Sequence, residues 1–204
     1  MRVRVYTEEV PRPGRRTREV ISHSLLKHPH RFPPRRGDRH VNWVVGSGGT
    51  APQLANLFME RIWNAEVPTT FLLHIWQNSI RQISLSDARA IVMDCLHTAD
   101  EVNAAHGLRH IITFAEADFP PELRHHVGKT LDLNLMLRNI NKDRGLPPCK
   151  PHRITSPAKY GRPGPWRTYS RWEEAEWGWG AGYHVHPYYL PSYFKFFRNY
   201  LKYL

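Results

Sequence analysis

Apolar positions recur every three to four residues through the middle of the chain, and that spacing predicts helices. Leu54, Leu57, Phe58, Ile62 and Ala65 fall on one face of a helix over 51–65. Thr50 is placed to cap it, and Pro52 sits in the first turn, where a missing N–H costs little. Behind the turn at Val67–Pro68, the stripe Leu72, Ile75, Trp76, Ile80 and Ile83 predicts a second helix over 69–83. A third, over 86–105, buries Ala88, Ile91, Val92, Cys95, Ala99 and Val102. Ser86 starts it and Gly107 stops it. Leu108 to Phe119 reads as a shorter helix. A fifth begins at Pro120-Pro121 and runs to about Lys142, with Leu123, Val127, Leu131, Leu135 and Ile140 inward. Strand-like alternation is nearly absent, and only Val41–Val45 qualifies. The expected fold class is mainly α: a small antiparallel helical bundle, or stacked helical hairpins, carrying long irregular N- and C-terminal extensions.

Charge divides the chain in the same way. The formal charge of +11 is confined to the ends: residues 1–40 carry +7, residues 41–147 carry −2, and residues 148–204 carry +6. Residues 1–40 hold five prolines and few apolar residues, so they read as a basic extended arm. Glu8, Glu9, Glu19 and Asp38 argue against an amphipathic targeting helix. Residues 41–147 form the helical body. Residues 148–204 read as a Pro- and aromatic-rich extension that ends in an amphipathic helix over 192–204. On that helix Lys195, Arg198 and Lys202 mark a narrow polar stripe, with Phe194, Phe197, Leu201 and Leu204 on the other side. So apolar a circumference suits a partner groove or a membrane edge. Arg12, Arg15, Arg16, Arg18, Arg31, Arg35, Arg36 and Arg39 are the expected anion- or partner-binding side chains of the arm.

Candidate chemistry is thin. Gly46-Ser47-Gly48-Gly49-Thr50-Ala51 imitates a dinucleotide-binding turn, but the expected second parallel strand is replaced by the predicted helix FLLHIWQNSIRQI. Cys95-x-His97 and Cys149-x-x-His152 match no standard zinc spacing, and His184-x-His186 is weaker still. There is no G-x-S-x-G elbow, and Glu173-Glu174-x-Glu176 reads as a solvated patch. No catalytic residue, metal or cofactor is therefore expected. Two cysteines exclude a disulfide scaffold, and no apolar run reaches the ~18 residues that cross a bilayer.

A helical body with basic, aromatic-rich ends is similar in organisation to accessory subunits of large organellar assemblies. The expectation is a non-catalytic accessory subunit at the mitochondrial inner membrane, in a respiratory-chain complex or ATP synthase. It would be held by several protein subunits and by peripheral contact with anionic lipid. The alternative is a mitochondrial ribosomal protein whose arms bind rRNA. A third is a nucleotide-binding enzyme using Gly46–Ala51.

Overall fold

The computed structural model describes residues 1–8, 12, 14–23, 29–36, 38–119, 121–152 and 190–204. The centre is a five-stranded sheet, so the expectation of a mainly helical bundle is corrected to an α/β architecture. In chain order the strands are β1 (Arg2–Tyr6), β2 (Thr17–Ser22), β3 (Asn42–Ser47), β4 (Thr69–His74) and β5 (Ile111–Phe114). They lie in the order β1-β3-β2-β4-β5. β3, β2, β4 and β5 are mutually parallel, and β1 closes one edge antiparallel to β3.

Four helices flank the sheet: α1 (Ala51–Trp63), α2 (Leu85–His106), α3 (Val127–Asp143) and α4 (Leu190–Lys202). Alternation along each strand decides which helix it meets. Ile21, Val44, Phe71, Leu73, Ile112 and Phe114 share one core with α1, α2 and α3. Val20, Trp43, Val45 and Leu72 face the other way and share a second core with Tyr193, Phe194, Phe197 and Leu201 of α4. The result is three layers, with the sheet covered on both faces. Such coverage is what lets parallel strands be almost continuously apolar.

That is also why periodicity misled. A short buried run such as Thr69–His74 satisfies a helical stripe and a two-sided strand equally well. The predicted helix over 69–83 is β4 followed by a turn in which Ser79 N–H bonds to Trp76 C=O at 2.9 Å. The predicted helix over Leu108–Phe119 contains β5. Two strands, β1 and β2, come from residues predicted to form an extended arm. α1 and α2 lie where the spacing places them, but α3 begins at Val127 rather than at Pro120-Pro121 and turns Leu133 and Leu137 inward, leaving the predicted core residues Leu131 and Leu135 exposed. The α2 cap is Ser84, whose Oγ accepts the Asp87 N–H at 3.0 Å, and Gly107 ends the helix with a left-handed φ of 65°.

Candidate functional site

In open sheets of parallel strands, ligands bind outside the carboxyl ends of the strands, where loops diverge. Here that edge gathers the ends of β2, β3, β4 and β5. Ser22 ends β2 and His74 ends β4, and the two are direct register partners. They share the parity of Val20 and Leu72, so both side chains point into the α4 layer.

Ser22 Oγ stands 3.3 Å from His74 Nδ1, and His74 Nε2 stands 3.2 Å from Asp118 Oδ2. Nε2 makes no aligned hydrogen bond to that carboxylate, so the second contact is a close approach rather than a linear hydrogen bond. Asp118 follows β5 and is fixed by Gln77: its N–H donates to Gln77 Oε1 at 3.1 Å, and its C=O accepts from Nε2 at 3.4 Å. The Tyr193 hydroxyl of α4 donates to Asp118 Oδ2. Burial, and then the neighbouring carboxylate, push the Tyr193 phenol well above its ordinary range, so it stays a donor. The His74 ring is flanked by His23 at 5.0 Å and Phe197 at 5.4 Å between centroids.

Ser22, His74 and Asp118 are fully enclosed. A hydroxyl, an imidazole and a carboxylate in that contact order make a nucleophile, a base and an orienting acid. Next to this centre the β3–α1 turn brings Gly48 and Gly49 to the same edge. Gly48 takes a left-handed φ of 73°, and the Gly49 carbonyl accepts from Asn78 Nδ2 at 2.8 Å. A side chain at Gly46 would collide with Leu54, and one at Gly49 would press on the Gly46 carbonyl. These glycines therefore serve close strand–helix packing. The parallel strand that seemed missing beyond this turn exists as β4, but it ends in His74 and not in an acid.

A second buried cluster sits beside Asp118. Glu116 is held by Arg138 through two hydrogen bonds of 3.0 and 2.9 Å, and by His152 at 3.0 Å. Burial alone would raise its pKa, but these partners outweigh it and hold the carboxyl below the usual range. Cys149 is buried beside both acids, and desolvation pushes its thiol well up, so it is no nucleophile. Cys95 is likewise buried, its thiol pushed up to about 12. Among the described residues no three potential ligands are grouped to hold a metal ion.

The residues singled out by sequence lie elsewhere. Arg12, Arg15, Arg31, Arg35, Arg36 and Arg39 are exposed. Arg16 is half-buried, and its guanidinium is lowered by burial and by Arg18. Arg18 Nε donates to the Leu201 carbonyl at 3.0 Å, tying β2 to the end of α4. On α4, Phe194, Phe197 and Leu201 cover the chain's own sheet; Arg198 is buried against Glu8 and over the Trp43 ring; Lys195 and Lys202 are exposed and Leu204 is half-buried. His184, His186, Glu173, Glu174 and Glu176 lie outside the described residues.

Sequence reasoning missed Ser22, His74, Asp118 and Tyr193. One signal was there: EVISH, TFLLH and ITFAEAD are short apolar runs that each end in polar or ionisable residues, as buried parallel strands do where they reach a site.

No protein-family model and no curated protein sequence matches the chain. Solved structures do. A member of the lipolytic protein G-D-S-L family from Veillonella parvula DSM 2008 superposes with a TM-score of 0.61 at 8% identity, over 93% of this chain and 98% of that one. A Bacteroides fragilis NCTC 9343 protein described as an acylhydrolase gives 0.60 at 13% identity, over 96% and 88%. The OSK domain of Drosophila Oskar gives 0.57 at 14% identity, over 90% and 87%. At such identities the likeness is one of fold. It corrects the expectation of a non-catalytic mitochondrial accessory subunit, and of a chain that is not an enzyme. The α/β sheet is that of lipolytic and acylhydrolase structures, and nothing in it indicates a respiratory-chain or inner-membrane role. The ribosomal alternative rested on free basic arms, but Arg2–Tyr6 and Thr17–Ser22 of that arm are strands of the sheet; the nucleotide-binding alternative rested on Gly46–Ala51, and the parallel strand beyond it ends in His74 where the dinucleotide pattern needs an acid. No helix among the described residues is long and apolar enough to cross a membrane.

Proposed function

We propose that the chain is a hydrolase that cleaves acyl esters through a serine at the carboxyl end of β2. The observation that carries this reading is the contact series Ser22–His74–Asp118 at the ligand-binding edge of a fold shared with lipolytic and acylhydrolase structures. In the reaction, Ser22 Oγ bonds to the acyl carbon as His74 Nδ1 takes its proton. The imidazolium is stabilised by Asp118, which Gln77 and Tyr193 orient. Collapse of the tetrahedral adduct breaks the ester C–O bond, and His74 returns the proton to the leaving alcohol. Water then attacks the acyl-enzyme by the same route and releases the acid. Because Ser22 is enclosed, the acyl group reaches it only when the cover formed with α4 opens.

That enclosure favours a second assignment of the same chemistry. After β2 the chain reads Ser22-His23-Ser24-Leu25, and its last two residues coincide with the last two letters in the name of the G-D-S-L family. Ser24 lies outside the described residues; in this assignment it is the nucleophile in place of the enclosed Ser22.

One experiment tests both. The full chain is treated with a fluorophosphonate probe, and the labelled serine is located by mass spectrometry while p-nitrophenyl acetate hydrolysis is followed. Label on Ser22 or Ser24, with at least about a 10³-fold rate loss in the matching Ser→Ala variant, supports the hydrolase and assigns the nucleophile. A native chain that neither labels nor hydrolyses overturns it.

A further inference from the structure

The flank of α4 that carries Ser192, Lys195 and Arg198 borders a cleft of about 500 Å³, whose opposite wall is the segment from Arg31 to Asp38. The charges around it divide into two kinds. Arg198 is structural: it is buried, pairs with Glu8 and donates to the Phe32 carbonyl at 2.8 Å, so it holds the two walls at a fixed distance. Phe32 also stacks on Phe194 with ring centroids 5.3 Å apart, which fixes the wall from the other side. Asp38 is engaged locally, accepting the Arg35 N–H at 2.9 Å.

Arg31, Arg35 and Lys195 remain. They are exposed, and no described carboxylate forms an ion pair with any of them. Arg31, Arg35 and Lys195, set against the one carboxylate of Asp38, leave this concavity with a net positive formal charge, which favours an anion. The first turn of α4 adds to the field: the Ser192 and Tyr193 N–H groups precede the helical ladder, and the positive end of the helix dipole lies there. Neither feature alone makes a site. Together with a cleft whose walls are braced by Arg198 and Phe32, they make one basic concavity with exposed donors on both sides.

We propose that this cleft binds a phosphate group. Two guanidinium forks and an ammonium supply enough donors for the three terminal oxygens of a phosphate monoester, where a carboxylate would leave one cation unmatched. The cleft does not use Ser22, His74 or Asp118, so the inference stands apart from the hydrolytic reading.

The test uses the full chain and two phosphate sources. Titration calorimetry with phenyl phosphate reports a soluble phosphate, and co-sedimentation with phosphatidylcholine vesicles, with and without phosphatidic acid, reports a lipid headgroup. Saturable binding of either probe is expected, weakened about tenfold or more in the Arg35→Ala/Lys195→Ala double variant. The exposed Lys142→Ala on α3 should leave it unchanged. Circular dichroism melting of both variants checks that they fold. Binding of phenyl phosphate without sedimentation assigns a soluble ligand, and phosphatidic-acid-dependent sedimentation assigns a headgroup; both support the proposal. It is overturned if neither probe binds, if binding is equally strong in the double variant, or if the native chain binds only a single-stranded oligonucleotide.

Discussion

The two ends of the parallel strands use polar residues for opposite purposes. At the amino end the groups are closed into locks. Glu19 of β2 takes two hydrogen bonds from Arg61 of α1, one of them 2.6 Å, which raises the guanidinium pKa against the cost of burial. Thr17 and Thr69 meet at 2.8 Å across β2 and β4, and His110 Nδ1 accepts the Thr69 N–H at 3.2 Å. At the carboxyl end the groups form an open series, serine to imidazole to carboxylate to phenol, with a less than linear contact in the middle. The Glu19–Arg61 pair satisfies both partners, although His110 Nε2 at the same end is buried without a hydrogen-bond partner; a hydroxyl–imidazole–carboxylate series instead gives a proton a path. On the hydrolase reading proposed above, chemistry belongs to one edge and stability to the other.

The largest expected effect breaks the carboxyl edge. His74→Ala should cut ester hydrolysis by about 10³-fold while the chain still melts cooperatively, because the base is lost and the sheet is not. Calorimetry beside the kinetic assay checks both halves. Next comes the lock joining α4 to β3. Glu8 accepts the Val41 N–H at 3.0 Å and the Trp43 indole at 2.8 Å as well as pairing with buried Arg198. Glu8→Gln leaves Arg198 buried without its countercharge and should cost about 3 kcal/mol in urea unfolding. Glu19→Gln at the amino edge should cost less, about 1–2 kcal/mol, because Arg61 is a third exposed. It should leave hydrolysis within about twofold, whereas an equal loss of activity would dissolve the contrast between the edges.

The smallest effect is in acid. Burial, then Arg16 and His106, lower the His110 pKa, so below about pH 6.5 the unfolded chain takes up a proton that the folded chain refuses. Stability should therefore fall as pH drops from there toward the folded value. Glu116, also held low, adds a second decline below about pH 4.3. Melting temperature against pH should show both limbs. His110→Gln, whose amide oxygen still accepts the Thr69 N–H, should remove only the first.

How much of this was legible depends on contact range. A helix writes its buried stripe, cap and stop within some twenty consecutive residues, so Leu54 to Ile62, the stripe from Ala88 to Val102, and Gly107 could be read directly. The 69–83 and 108–119 segments could not. A strand buried on both faces has no polar side to alternate with, and its hydrogen bonds go to residues far along the chain. β2 hid more deeply, since its flanking prolines and arginines describe the loops around it and not the six residues that enter the sheet.

The sequence by itself determined the buried stripes of α1 and α2, the stop at Gly107, where charge accumulates, and that α4 must bury most of its circumference. What buries α4 was decided by the tertiary structure, as were the pairing of β2 with β4 and the meeting of Ser22, His74, Asp118 and Tyr193. Those contacts join residues 44 to 75 positions apart, and the choice among such pairings rests on the packing of the whole sheet, which no local window contains.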